Sequence, residues 1–130
     1  MNGQISTKEI KNKRMSRPVY TLRRRVMGLI YEARRVVNLP RIEVRIVDNI
    51  DGVNAAAELN GNRIWVTEEA ASNMSIDDLR RTVYHEIIHA VLGVNHVEKC
   101  PMMHYHSLVT LTKRQADFYL THYFLKYSKK

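Results

Sequence analysis

Residues 75–93 read SIDDLRRTVYHEIIHAVLG and carry the strongest structural signal in this chain of 130 residues. Ser75, followed three residues later by Asp78, is typical of a helix N-cap, and Gly93 is the residue type that ends a helix in the left-handed conformation. Between them apolar residues recur at helical spacing, which predicts an amphipathic helix over residues 76–92. The apolar residues of its core face are Val83, Ile87, Ile88, Val91 and Leu92.

His85 and His89 are four residues apart in this predicted helix. Residues at that spacing point to the same side, so both imidazoles can bind one metal ion. Glu86 is rotated from His85 by about 100°, so it can flank the metal and take a proton from a bound water. Zinc lowers the pKa of such a water from 15.7 to about 7. The spacing predicts Zn²⁺ bound by the two histidines with Glu86 as the general base; an incidental pair of surface histidines is the alternative.

A catalytic zinc site has three protein ligands and one open position. His96 is the predicted third ligand, because the chain leaves the helix at Gly93 and can turn back toward the metal. Cys100 and Asp117 are the alternatives, the first in the loop after the helix and the second on the last predicted helix. Cys100 is the only cysteine, and an ordinary buried thiol is the other interpretation of it.

Residues 85–105 resemble the extended metzincin motif HExxHxxGxxH and its Met-turn, here the segments His85–His96 and Met103-His104-Tyr105. The resemblance implies a zincin metallopeptidase in which Met103 forms a hydrophobic base to the site. It also implies that Tyr105, which matches a tyrosine of the astacin branch, binds zinc or stabilises an oxyanion. Metzincins have two residues between the second histidine and the glycine, whereas this chain has three. In a regular α-helix the extra residue rotates the exit of the chain by about 100°.

Other elements are predicted before the motif. Apolar residues recur at helical spacing over residues 21–38, and residues 41–48 alternate as in a half-buried strand. The turn Asn60-Gly61-Asn62 separates two strand-like segments, residues 55–59 and 63–67, as in a β-hairpin. We expect a peptide substrate to pair with a free strand edge, either residues 63–67 or their hairpin partner.

A final helix is predicted after the motif, because Thr112 and Gln115 have the spacing of a capping box. The helix extends to about Tyr127. The order of elements predicts an α+β domain with a small mixed sheet and three helices, and the resemblance implies that this domain is a minimal zincin.

The net charge of +8 is concentrated at the two ends of the chain. Residues 1–45 hold twelve Lys/Arg against three acids, whereas residues 46–105 hold four against nine. We expect residues 1–17 to form a basic N-terminal arm and residues 18–130 to form the domain, since the residue before Pro18 avoids helical geometry. A basic arm can bind nucleic acid or an acidic protein surface, and a solvated charged face is the alternative.

No apolar run approaches the roughly 18 residues that a membrane span needs. The N-terminal residues lack the apolar core of a signal peptide, and a single cysteine suits a reducing compartment. We therefore expect a cytoplasmic protein without a membrane partner.

Three functions fit the motif. The leading expectation is a zinc-dependent peptidase, in which a zinc-bound water activated by Glu86 hydrolyses a protein or peptide substrate. The second is a metal-dependent RNA hydrolase, because a family of rRNA-maturation metalloproteins has a three-histidine site of similar spacing, although without a glutamate beside the first histidine. The third is a non-catalytic zincin fold that serves as a structural or interaction protein.

Overall fold

The computed structural model of the protein describes residues 17–95 and 110–127. These residues form a mixed α+β fold with four α-helices, one π-helical turn and a three-stranded sheet. In chain order the elements are α1 (Arg17–Arg34), β1 (Glu43–Val47), β2 (Ala55–Glu58), β3 (Arg63–Thr67), α2 (Glu68–Asn73), α3 (Ile76–Ile87), the π-helical turn (Ile88–Leu92) and α4 (Lys113–Tyr127). The predicted α+β class is confirmed, with one helix more than expected, because the six residues of α2 are too few to show a helical period.

The central strand of the sheet is β3, in the order β1-β3-β2. It pairs in parallel with β1 and antiparallel with β2. Ile64 and Val66 of β3 are fully buried, because alternate residues of a strand point to the same face and this face packs against the helices. Of the two strands expected to offer a free edge, β3 is therefore excluded and β2 remains.

The predicted hairpin between β2 and β3 is confirmed, but asparagines rather than glycine occupy the left-handed positions of its turn. Asn60 and Asn62 have φ angles of 59° and 55°, and asparagine tolerates this conformation better than most residues. Gly61 lies outside the left-handed region. A Cβ at Gly61 would meet the side chain of Glu58, which is exposed and would have to shift.

The helix that carries the motif begins as predicted and changes geometry before it ends. The Oγ of Ser75 accepts a hydrogen bond from the N–H of Asp78 at 3.1 Å, which confirms the N-cap. The α-helical part ends at Ile87, and the following five residues form the π-helical turn. Gly93 ends this turn with a φ of 69°, as its residue type predicts.

The tip of the hairpin is hydrogen bonded to the π-helical turn. The N–H of Asn60 donates to the carbonyl of His89 at 3.2 Å, and the N–H of Asn62 donates to the carbonyl of Ala90 at 3.1 Å. The last carbonyls of a helix have few partners within it; the carbonyl of His89 accepts from the N–H of Gly93 as well as from Asn60, and the carbonyl of Ala90 accepts from Asn62. The contact fixes the end of the motif helix relative to the sheet.

Polar contacts join α3 to its two neighbouring helices. The side chain of Arg80 is almost fully buried, and it donates to Glu32 of α1 at 2.8 Å and to Asp77 at 2.7 Å. Tyr84 is fully buried, and its hydroxyl donates to Asp117 of α4 at 2.9 Å. Around these contacts lies an apolar core that includes Val26, Leu29, Ile30, Leu79, Val83, Ile87 and Leu120.

The first helix occupies residues 17–34, four residues earlier at each end than predicted. Pro18 lies in its first turn, where the missing N–H is not needed for a helical hydrogen bond. Arg17 therefore belongs to α1, and the rest of the predicted basic arm, residues 1–16, lies outside the described residues.

The last helix begins with the predicted capping box. The N–H of Gln115 donates to Thr112 Oγ1 at 3.2 Å, and Gln115 Oε1 accepts from the N–H of Thr112 at 3.0 Å. Neither α4 nor any other helix in the two described ranges is both long and apolar enough to cross a membrane.

Replacing Gly93 with alanine should lower the free energy of unfolding by about 1–2 kcal/mol, because a residue with a Cβ is strained in the left-handed region. The added Cβ would also meet the side-chain amide of Asn60, which would have to shift. Gly28→Ala in α1 is the matched control: no atom lies within 4 Å of its added Cβ, and the change should raise stability by about 0.4–1 kcal/mol. Urea denaturation followed by circular dichroism measures both, and an equal effect of the two changes would contradict the role given to Gly93.

Candidate metal centre

The two motif histidines converge as the sequence predicts. Their Nε2 atoms lie 3.0 Å apart, and the ring planes meet at 79° with centroids 4.6 Å apart. Two nitrogens that bind one tetrahedral zinc ion at about 2.0–2.1 Å are about 3.3 Å from each other. The imidazoles of His85 and His89 therefore present a nitrogen pair close to the separation that a shared metal ion requires.

The ring of His89 is oriented by the backbone just after the π-helical turn. Its Nδ1 donates a hydrogen bond to the carbonyl of Val94 at 2.5 Å. A carbonyl can only accept, so Nδ1 carries the proton and a neutral ring keeps the lone pair of Nε2 for the site. Metal-binding histidines commonly use their second nitrogen in this way. Gly93 makes the contact feasible, since its left-handed conformation reverses the chain directly before Val94.

Glu86, between the two histidines in sequence, is buried on α3 with 7% of its surface exposed. Burial raises the pKa of its carboxyl group from the ordinary 4.5 to about 8. No charge or hydrogen bond from the described residues opposes this effect. A buried carboxyl group of this kind is uncommon away from functional sites, because the ionised form is poorly stabilised without a cation.

Residues 17–95 and 110–127 contain no group of three metal-binding side chains that would complete the site. Asp117, one of the alternatives for the third ligand, lies on α4 and accepts hydrogen bonds from Tyr84 at 2.9 Å and from Lys113 at 2.7 Å. It joins α4 to α3 instead of joining the histidines. The other predicted site residues, His96, Cys100, Met103 and Tyr105, lie outside the described residues, so their roles stay predictions.

Tyr84 links the helix that carries the two histidines to α4. Burial raises the pKa of its hydroxyl group, and the neighbouring carboxylate of Asp117 raises it further. The hydroxyl therefore stays protonated and keeps donating to Asp117 across the neutral pH range. Because Tyr84 directly precedes His85, this bond helps to fix the rotation of α3 about its axis.

Two structural features that position His89 could not be predicted from residue types: the carbonyl that its ring contacts and the π-helical turn. The carbonyl of Val94 is a backbone group, so no residue type indicates it. The π-helical turn likewise follows from no residue preference, although three residues rather than two between His89 and Gly93 are a hint of an inserted residue. A π-helical turn accommodates one extra residue within a helix and is frequent at functional sites.

The described part of the site brings together two converging imidazole nitrogens and, beside one of them in sequence, a buried carboxyl group. This set of side chains can bind a divalent cation and move a proton next to it. Comparisons of the chain with protein-family models, with curated proteins and with solved structures found no match.

Proposed function

We propose that this protein is a zinc-dependent peptidase of the zincin type. The observation that carries the proposal is the convergence of the Nε2 atoms of His85 and His89, with His89 held in the tautomer that metal binding needs. These two residues and His96 would bind Zn²⁺. A cytoplasmic location is part of the proposal, because the single cysteine, Cys100, permits no disulfide within the chain.

Glu86 is the proposed general base and acid. Zinc supplies Lewis acidity, which lowers the pKa of water to about 7 and polarises a carbonyl group. Glu86 takes a proton from the attacking water and passes it to the leaving amine. Burial raises the pKa of this carboxyl group in the metal-free protein, and a bound cation would favour its charged form, which accepts a proton. Tyr105 is the proposed oxyanion donor, on the resemblance to astacins.

The free edge of β2 supports a peptide as the substrate. This strand packs beside α3 and the π-helical turn, and no described strand pairs with its other side. Its three alanines, residues 55–57, are small and half-buried, so an extended peptide can approach and pair with the backbone. An RNA strand cannot use a row of backbone N–H and C=O groups in this repeating way, which favours a peptidase over an RNA hydrolase.

The π-helical turn supports the resemblance to metzincins despite the longer spacing. A π-helix has about 4.4 residues per turn, so the four steps from His89 to Gly93 rotate the chain by about 330°. Three α-helical steps, as in the metzincin pattern, rotate it by about 300°. The direction in which the chain leaves the helix at the glycine therefore differs by about 30° between the two patterns, instead of the 100° expected for a regular α-helix. His96 therefore remains the proposed third ligand.

Glu86→Gln should abolish peptide cleavage and leave zinc binding intact. We expect a loss in turnover of about 10²–10⁴-fold, the usual contribution of a general acid-base group, with about one zinc ion per chain in both proteins. Mass spectrometry of a digested peptide library and elemental analysis of zinc are the measurements. Glu69→Gln is the control, since Glu69 is exposed on α2. Equal cleavage by wild type and Glu86→Gln would remove Glu86 from the mechanism.

His85→Ala and His89→Ala should each weaken zinc binding by more than about 100-fold, since losing only an outer-shell partner already costs about 10–100-fold. Competition with a chelating dye measures the affinity. His122→Ala is the matched control, because His122 is exposed on α4 and should leave the affinity unchanged. His96→Ala and Cys100→Ala identify the third ligand by the same measurement. A site that keeps its zinc without either motif histidine would refute the metal centre.

The metal-free protein should lose stability as pH rises from about 4.5 to about 8. The pKa of Glu86 is raised in the folded state, so its neutral form favours folding below pH 4.5 and this contribution is lost as pH rises through 8. Between these two pH values the free energy of unfolding should fall by up to about 1.4 kcal/mol for each pH unit. Urea denaturation of chelator-treated protein measures the effect. Glu86→Gln should remove this part of the pH dependence, and parallel pH profiles of the two proteins would contradict the assignment.

A further inference from the structure

A groove of about 1080 Å³ lies between α1 and β1. The tip of the hairpin, with Gly61 and Asn62, also lines it, but no lining residue belongs to α3 or to the π-helical turn. Sites for single small molecules usually enclose about 300–1,000 Å³. Its lining thus separates the groove from the proposed metal centre. Its volume is large enough for part of an extended chain.

The walls of the groove are strongly basic. Four arginines line it, Arg23, Arg34, Arg41 and Arg45, against one acidic residue, Glu43, which leaves a net charge of +3. Glu43 accepts a hydrogen bond from Arg45 at 2.7 Å, and this bond holds its pKa below the ordinary value. Glu43 is thus already paired with Arg45 in the groove and, at 3.1 Å, with Arg63 outside the lining. The other three guanidinium groups of the groove give it an attraction for anions.

Two of these arginines are oriented before any ligand binds. Arg23 Nε donates to the carbonyl of Val44 at 3.2 Å, and Arg34 Nη1 donates to the carbonyl of Leu39 at 2.8 Å. A guanidinium group has five N–H donors, so each keeps further donors for a ligand. An oriented arginine loses less conformational entropy on binding, and its planar fork matches the oxygens of a phosphate group.

An exposed aromatic ring completes the groove. Tyr31 of α1 is 58% exposed and lines the groove beside Arg34 and Met27. Proteins that bind single-stranded nucleic acid combine a positively charged groove with aromatic side chains on which bases stack. An acidic polypeptide has charges but no planar bases, so it would make no comparable use of Tyr31.

Strand addition by a peptide does not explain the groove either. The outer edge of β1 faces it, but Val44 and Ile46 are only 2% and 5% exposed. Arg23 moreover occupies the carbonyl of Val44. The backbone of β1 is thus covered, and the groups available to a ligand are the guanidinium groups and the phenol ring.

We propose that this groove binds single-stranded nucleic acid, with phosphate groups on Arg34 and Arg41 and a base stacked on Tyr31. The concave shape suits one strand, whereas a duplex is too wide to enter a groove between a helix and a strand edge. The proposal does not depend on the metal centre. The four arginines of the groove all lie within residues 1–45, the most basic part of the sequence.

The test is fluorescence anisotropy of labelled U₁₂, dT₁₂ and a 12-base-pair duplex with the full chain, in a chelator so that hydrolysis does not interfere. Arg34→Gln/Arg41→Gln is compared with Arg24→Gln/Arg35→Gln, which removes the same charge from two exposed arginines outside the groove. The groove variant should bind at least one single strand about tenfold more weakly, with a salt slope reduced by about 1.4 for two lost phosphate contacts. The control variant should stay within about twofold of wild type.

Tyr31→Leu should weaken single-strand binding by about fivefold or more through the loss of stacking. Arg41→Gln alone serves if the double variant does not fold, because no described group bonds to Arg41 and its loss leaves the fold intact; circular dichroism verifies folding. Equal losses in the groove and control variants would overturn the proposal, as would duplex binding as tight as single-strand binding. Binding of a labelled oligoglutamate that needs the groove arginines but not Tyr31 would assign the groove to an acidic polypeptide instead.

Discussion

The N–H groups of Asn60 and Asn62 donate to the carbonyls of His89 and Ala90, and this contact joins the sheet to the motif helix. The N–H groups of the hairpin tip lie outside the strand ladder and find acceptors here, and the carbonyl of His89 accepts from Gly93 as well as from Asn60. His89 lies within the contacted turn, so the same bonds fix one of the two converging imidazoles. Gly93 permits the close approach of Asn60, since any Cβ at that position would collide with its side chain.

Glu86 shows the tension between stability and function in this fold. Burial destabilises the ionised form of its carboxyl group, and the described residues offer no charge or hydrogen bond that would compensate. An apolar residue would suit the same position on α3 better if stability were the only requirement. A divalent cation beside the carboxyl group would offset the burial and favour its charged form. The environment of Glu86 is thus unfavourable for the metal-free protein and suitable for proton transfer next to a metal.

The hairpin tip separates two regions of different chemistry. On one side its backbone binds the π-helical turn of the candidate metal centre, and on the other Gly61 and Asn62 line the basic groove. The sequence has a matching division of charge, with a net of +9 in residues 1–45 and −5 in residues 46–105. Among the described residues, the lining of the groove formed by α1 and β1 has a net charge of +3, which attracts anions.

The sequence by itself determined the elements whose signals are local. Side chains cap the backbone one turn away, which is why Ser75, Thr112 and Gln115 mark helix ends correctly, and the four-residue spacing of His85 and His89 suffices to bring their rings together. Only the tertiary structure decided the parallel pairing of β1 with β3, the free edge of β2, the π-helical turn and the burial of Glu86. Each of these depends on hydrogen bonds or packing between segments far apart in the chain, and no local residue pattern encodes such a partner.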